Sequence, residues 1–431
     1  NDLFRHFTNL SRQNYALSTT FYPLGSCTMK YNPIISEQIV KYDKFTKIHP
    51  YQNELTIQGN LEIMYELEQN LCSISGMDYF TLQPAAGAHG EITGLLIIAK
   101  YFESLKQKRN TIIIPDSAHG TNPSSAVLAG FNVVSLQSKK NGQVNIETLK
   151  QLLNDNVAAI MLTVPNTLGI FEENILTISN LAHNNGTIMY YDGANLNAII
   201  GIIKPGDLGF DIMHINLHKT FAAPHGGGGP GSGPVGIKKF LEPFLPVPRI
   251  IKNKTYFAFN YDKPKSIGKI KAFFGNFPVI LKSYIYIYLL GSEGLIDTSQ
   301  QAVLNANYML AKLKKNVDVP AGNKCLHEFV ISLKSILNNG LKTIDIAKRL
   351  LDYGYYAPTI YFPLIVEEAM MIEPTETESK KTLDKFIDIF TNIISKEMLY
   401  EPDKLKYAPN KTIIGRLNEV MAARNPILKW K

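Results

Sequence analysis

The sequence predicts an α/β protein built on a doubly wound, mostly parallel sheet. Three observations carry this expectation. Five short runs, TIIIP (111–115), FNVVSL (131–136), AAIMLTV (158–164), GTIMYYD (186–192) and DIMHINL (211–217), are apolar, rich in β-branched residues, and mostly stop at a polar or Gly/Pro turn, as strands do. Helix-like stretches at 145–155 and 174–184 lie between them, and strand–helix alternation is the pattern of a parallel sheet. The runs also lack a polar face, which fits strands covered by helices on both sides.

The elements follow in chain order. Residues 1–60 are polar and proline-punctuated, with FYPLGSCTMKYNP at 21–33, and predict an extended N-terminal arm. Leu61, Met64, Leu67 and Leu71 recur at helical spacing and predict a helix running to Ser75. After the alternating region comes a Gly/Pro-rich loop at 222–236 and a long helix at 292–316. From about 322, HEFVISL, TIDIAKRLLDYG and YFPLIVEEAMMIEP precede a helix at 376–396, the mixture of a small α+β unit. The expected organisation is an arm over 1–60, a large α/β domain over 61–310 and a small C-terminal α+β domain over 311–431.

Composition narrows the function classes. The 431 residues are 45% apolar and 19% charged, with 30 Gly and 23 Pro, which excludes disorder, collagen-like repeats and coiled coil. The net charge is +7, yet only seven of the 44 basic residues are Arg. Nucleic-acid readers favour Arg forks, so a nucleic-acid partner is not expected; the charge suits an acidic protein partner. Three Cys (27, 72, 325) form neither a disulfide framework nor a zinc spacing, so a reducing, cytoplasmic compartment and no metal are expected. No apolar run reaches about 18 residues, so no membrane span is expected. NDLFRHFTNL has neither a signal-peptide nor a transit-peptide pattern.

In doubly wound sheets ligands bind beyond the carboxyl ends of the strands. Asp192, followed by Gly193-Ala194-Asn195, ends one strand; His218 and Lys219 follow another. Asp192 and Lys219 are separated by about one strand–helix–strand unit, so their side chains can meet above neighbouring strands. A carboxylate facing a lysine suits pyridoxal phosphate, which needs an amine for a Schiff base and an acid to keep its ring nitrogen protonated. Singly, Asp192 reads as a helix N-cap and Lys219 as a surface lysine; the pairing favours the cofactor.

Other strand ends add candidates. QPAAGAHGEITGLLIIAK (83–100) places small residues before an apolar helix, and the N–H groups of Ala88 and His89 can face a phosphate there. No GxxxxGK[ST] is present, so a P-loop is excluded. His119, in PDSAHGTNPSSA, can stack on a planar cofactor, its alternative being an ordinary loop histidine. Thr167, in VPNTLGIFE, is either a hydroxyl donor near the cofactor or a turn residue. HGGGGPGSGP (225–234) is either a flexible active-site loop or a tight turn. Cys27 reads as a packed thiol in a site-shaping loop; a reactive thiol needs a depressed pKa, for which Lys30 is the nearest candidate cause. Tyr284, Tyr286 and Tyr288 read as packing, and Arg416 and Arg424 as salt-bridge or interface residues.

At these residues the chain resembles a known family. FYPLGSCTMKYNP, QPAAGAHGE, DSAHGTNPSSA, VPNTLGIFE, YYDGANLNAI, HINLHKTFAAPHGGGGPGSGPVG, MIEPTETES and EVMAARNPILKW look like glycine decarboxylase, the P-protein of the glycine cleavage system. The likeness runs from about residue 3 to the end. The length matches the Lys-bearing half of the fused P-protein, which implies the second subunit of the two-subunit form. The resemblance implies pyridoxal-phosphate fold type I, with Lys219 as the Schiff-base lysine, Asp192 on the pyridine nitrogen, His119 stacked on the ring and Ala194 over its opposite face. Asn216-x-His218-Lys219 is similar to the pattern of related decarboxylases, in which the residue matching Asn216 helps hold the phosphate beside the Ala88/His89 turn. Two departures are Pro278 in FFGNFP, where Gly is expected, and His89, where some relatives carry Gln.

The implied reaction is decarboxylation of glycine with transfer of the aminomethyl group to the lipoyl arm of an H-protein, Lys219 and His218 being the groups expected to move protons. The implied partners are subunit 1, as a hetero-oligomer of two chains of each, and lipoylated H-protein. Another fold type I decarboxylase or a desulfurase acting alone is the alternative enzyme. A silent scaffold or basic binding module is the non-enzyme alternative.

Overall fold

The computed structural model describes residues 1–224 and 231–429. Residues 225–230 of the Gly-rich stretch, expected to be an active-site loop or tight turn, lie outside the described residues. The central sheet has the order β1 (Tyr79–Thr81), β7 (Val235–Ile237), β6 (Ile212–Ile215), β5 (Ile188–Gly193), β4 (Val157–Thr163), β2 (Thr111–Pro115) and β3 (Asn132–Leu136). The five expected strands are β2 to β6, and they pair parallel. β7 runs antiparallel to both β6 and β1. β4 and β5 are buried along nearly their whole length, which is why their sequences lack alternation. Each large aliphatic side chain so buried contributes about 1.5–3 kcal/mol.

A hairpin, β8 (Arg249–Asn253) with β9 (Tyr256–Asn260), follows the sheet. The small α+β unit carries an antiparallel sheet ordered β10 (Phe329–Ser332), β12 (Ala369–Ile372) and β11 (Thr359–Ile360), covered by helices Thr343–Asp352 and Lys380–Asn392. Its core takes Phe21 from the arm and Ala306, Met309, Leu310 and Leu313 from the preceding helix.

Three expectations change. The arm is not extended throughout: Asp2–Ser11, Ile34–Ile39 and Asp43–Thr46 are helical, short segments that polar composition disguised. The long helix begins at Phe277, not 292, and ends at Leu313. Its first half is aromatic and β-branched, which masked helical periodicity, and Gly291 breaks it with φ 62°. Pro278 sits in its first turn, where a missing N–H is no loss. Among the described residues, this helix alone is long and apolar enough to cross a membrane, with 44% of the relevant window buried. It packs its two halves into the two cores. On its first half Tyr286 is buried, whereas Tyr288 is 79% exposed, so the tyrosines split between faces. Arg416 pairs with Asp345 at 2.7 Å.

Candidate active site

The carboxyl ends of β2, β4, β5 and β6 lie side by side, and their loops enclose a cleft of about 170 Å³. Its walls include Lys219, His218, Asp192, His119, Ala194, Ala88, Asn216 and Thr167. Of the expected catalytic and cofactor-binding residues, His89 stays off the wall: its ring folds back so that Nδ1 accepts the Ala85 N–H at 3.2 Å. Its backbone stays in the first turn of helix Gly87–Ser104, where N–H groups have no intrahelical acceptor.

Asp192 is 1% exposed and heavily solvated by protein. Asn122 Nδ2 and Thr163 Oγ1 each donate to Oδ2 at 3.0 Å, the Ala194 N–H donates to Oδ1 at 2.9 Å, and His214 Nε2 lies 3.1 Å from Oδ1. Burial alone raises a carboxyl pKa, but His214 and these donors outweigh it and hold Asp192 well below the usual range. Burial likewise works to lower His214, and the Asp192 carboxylate raises it on balance. Each partner thus favours the charged form of the other. The sequence reading missed His214. The register of parallel strands was its signal, since Asp192 and His214 are direct cross-strand partners.

The Lys219 ammonium makes no hydrogen bond or ion pair among the described residues. His119 Nδ1 lies 2.9 Å from Thr121 Oγ1, and the ring meets Phe362 edge-on; burial first, and the Lys219 charge second, lower its pKa, so a neutral ring faces the cleft. Thr167 lines the cleft. Its hydroxyl donates to the Ser117 carbonyl at 2.5 Å, so its proton is committed to tying two loops together. His218 Nδ1 accepts the Ser232 N–H at 3.3 Å, and His218 also borders a second cavity, of about 730 Å³, against arm residues 14–37 and Tyr356.

An anion cradle lies in the same cleft. The amide oxygen assigned to Asn216 is buried without a partner among the described residues, and a Cβ added to Gly87 would stand 2.0 Å from it. Only glycine lets the helix N-terminus approach that amide. Ser232 Oγ and Thr220 Oγ1, off the cleft wall, are likewise buried without a partner among the described residues, and Gly233 packs on Ala86 and Gly87. Open N–H groups at a helix end beside the Asn216 amide make a site for a phosphate-like anion.

The structure favours the packed-thiol reading of Cys27. Burial above all pushes its thiol up to about 11, although Lys219 pulls the other way. Lys30 is elsewhere: its ammonium meets Glu376 and Asn197 at 2.8 Å and Tyr286 at 3.0 Å. The sequence reading also missed Ser26 and Asn195, which line the cleft; each depends on chain segments remote in sequence.

Relatives and known structures agree with this architecture. The chain is 69% identical over its full length to a probable glycine dehydrogenase (decarboxylating) subunit 2 of Endomicrobium trichonymphae, covering 90% of that protein. It is 57% and 54% identical to proteins of the same description from Caldanaerobacter subterraneus subsp. tengcongensis and Thermotoga maritima, again over its full length and 88% and 90% of theirs. Its fold matches a crystal structure of glycine decarboxylase (P-protein) of the glycine cleavage system with TM-score 0.77 at 17% identity, covering 91% of this chain and 89% of that one. A NifS-like protein matches with TM-score 0.67 at 15% identity, covering 88% and 100%. Residues 298–411 match a family model described as glycine dehydrogenase, C-terminal domain. Residues 1–252, more than half the chain, match that of the glycine cleavage system P-protein, and the chain belongs to that family.

Proposed function

We propose that this chain is the lysine-bearing subunit of a two-subunit, pyridoxal-phosphate-dependent glycine dehydrogenase (decarboxylating). One observation carries the reading: a buried, charge-stabilised Asp192 and a Lys219 with no ion pair among the described residues share a cleft with an anion cradle. That donor set fits pyridoxal phosphate, with Lys219 as covalent anchor, Asp192 toward the ring nitrogen, and the Gly87–His89 turn and Asn216 toward the phosphate. Bound there, the cofactor supplies a protonated ring that takes up the electron pair left when the carboxyl carbon departs.

The chain's own groups set the conditions for that step. Asp192, held ionised by His214, Asn122, Thr163 and the Ala194 N–H, keeps a proton on the ring nitrogen. His119 and Ala194 bracket the ring. Lys219 and His218 move protons at the amine-bearing carbon. The cleft wall holds no arginine among the described residues, so a substrate carboxylate is met by neutral donors, an environment that favours loss of CO₂. Overall, glycine gives up CO₂ and its aminomethyl carbon bonds to one sulfur of a lipoyl disulfide. The S–S bond breaks, and the other sulfur takes up a proton as a thiol.

The relatives described as subunit 2 support a partner subunit 1, assembled as two chains of each. Lipoylated H-protein is the carrier, drawn to the basic surface, with the 730 Å³ cavity beside His218 as the way in for its arm. Three free cysteines suit a cytoplasmic setting. The fold is shared with NifS-like proteins, but a desulfurase needs a thiolate nucleophile, which Cys27 does not supply.

Borohydride reduction and peptide mapping test the cofactor: the label is expected on Lys219, and a label elsewhere or nowhere overturns the reading. Glycine–bicarbonate exchange with lipoylated H-protein, with and without subunit 1, tests the reaction. Lys219→Ala is expected to abolish it, and exchange without a lipoylated carrier would point to a stand-alone decarboxylase.

A further inference from the structure

Two glutamates of the small domain act on the cleft from behind its wall. His327, Glu328 and Glu373 are wholly buried, and one ligand-type atom of each lies within 4.8 Å of the others. Both carboxyls turn onto the arm. The Ser26 N–H donates to Glu328 Oε2 at 2.7 Å, the Thr28 N–H to Glu373 Oε2 at 2.8 Å, and Thr28 Oγ1 to Glu373 Oε1 at 2.6 Å. Glu328 Oε1 also accepts Asn195 Nδ2 at 3.2 Å. Ser26 and Thr28 have φ of 64° and 48°. A non-glycine residue pays conformational strain there, so this turn needs outside restraint. Ser26 and Asn195 line the cleft with Lys219, and no hydrogen bond to the Ser26 hydroxyl occurs among the described residues.

The pair is not built as a metal cage. The oxygens nearest His327, at 3.9 and 3.8 Å, are the ones already accepting Asn195 and Thr28. Burial and then Glu373 push Glu328 up, and burial pushes Glu373 up. Burial of two carboxyls this close disfavours a charge on both at once.

We propose that Glu328 and Glu373 are positioning residues that clamp the strained Ser26–Thr28 turn against the cleft, so that the Ser26 hydroxyl is presented to the substrate's carboxylate. This rests on the glycine-decarboxylating reading, and on the absence of an arginine from the described cleft wall to take that carboxylate.

The test uses the complex with subunit 1 and two independent readouts. In glycine–bicarbonate exchange, Glu328→Gln is expected to raise KM about tenfold with kcat within about threefold, the scale of one lost hydrogen bond, and to keep the bound-cofactor absorbance. Ser26→Ala is expected to match it, and Ser26→Ala with Glu328→Gln to be no worse than either alone. Glu373→Gln is expected to act likewise through Thr28, and it stands in if Glu328→Gln does not fold. Unchanged KM with only a lowered Tm, or effects that multiply to about 100-fold in the double variant, overturns the proposal. Amide hydrogen exchange reads the clamp without substrate. Glu328→Gln is expected to speed exchange at Ser26 about tenfold, and unchanged exchange overturns the clamp. A wild-type complex without glycine exchange overturns the functional reading instead, while the amide measurement still decides the clamp.

Discussion

Lys30→Met is expected to destabilise the chain far more than an ordinary lysine substitution. The Lys30 side chain is 1% exposed, and its ammonium is shared by Glu376 and Asn197 at 2.8 Å and Tyr286 at 3.0 Å. It ties the arm, the large domain, the long helix and the small domain at one point. Burial disfavours the charge, but Glu376 and Tyr286 together outweigh it and leave the Lys30 pKa raised. Methionine keeps most of the volume and removes all three contacts. Glu376, 9% exposed, is then left with Asn197 Nδ2 at 3.2 Å and Tyr286 at 3.4 Å. Stranding one partner of a buried ion pair costs about 3–5 kcal/mol. At a urea slope of about 3 kcal/mol/M, the midpoint falls by roughly 1–1.7 M. Lys30→Met with Glu376→Gln removes both charges, and neutral replacement of a buried pair is often near neutral. The double variant is therefore expected to recover at least half of the loss. A single-variant loss below about 1 kcal/mol, or a double variant no better than the single, refutes this reasoning.

Asp192→Asn is expected to lower exchange activity by at least about 100-fold, because an amide cannot hold the ring nitrogen protonated; steady-state assay with saturating cofactor checks this. The same variant flattens the pH dependence of stability. Asp192 is depressed, so its contribution is present above about pH 4 and fades as pH falls toward its folded value. His214 is raised, so its contribution is full below about pH 6.5 and fades as pH rises through its folded value. Urea midpoints across pH should show both slopes in wild type and neither in the variant. Gly87→Val is expected to weaken cofactor binding at least tenfold in an absorbance titration, since its Cβ would stand 2.0 Å from the Asn216 amide oxygen. Cys27 is expected to resist iodoacetamide at pH 7.5, its thiol being pushed up to about 11 by burial; rapid modification there, seen by mass spectrometry, would contradict the packed-thiol reading.

The legible part of the site is the part that sheet topology creates. Asp192, Lys219, His119 and Thr167 each follow an apolar run, and a parallel sheet puts such positions on one edge without any knowledge of packing. Side-chain bonding was not legible. Nothing in VPNTLG says that the Thr167 hydroxyl is taken by Ser117. His214 was hidden because an imidazole in an apolar strand looks like core until the register sets it opposite Asp192. The antiparallel strands β1 and β7 are only three residues each, too short to show a period. The long helix was half read because Phe277–Leu290 is aromatic and β-branched, a composition that favours strands by propensity. Tertiary burial overrode that preference.

The arm shows why a motif can be specific yet misread. GSCTMK drew notice for its cysteine, and the lysine three residues on looked like the group that would activate it. In the fold the positions that matter alternate around the cysteine. Ser26, Thr28 and Lys30 are each held by a different small-domain glutamate, 328, 373 and 376. Just before them Leu24 bridges Ile372, and the Glu373 N–H donates to the Pro23 carbonyl. The alternation comes from a turn with left-handed Ser26 and Thr28, not from an extended strand, and it continues the contact with β12 past the strand's end. Cys27, between two of the held residues, is left packed and protonated. The cleft therefore has two kinds of wall. Strand ends set the Asp192–Lys219 side through the sheet, and the small domain sets the Ser26 side through the arm. Reactivity of the lysine follows from the first, and the fit of a small carboxylate substrate from the second. Changes far from the cleft, in residues 328–376, should then alter KM before they alter the chemistry of Lys219.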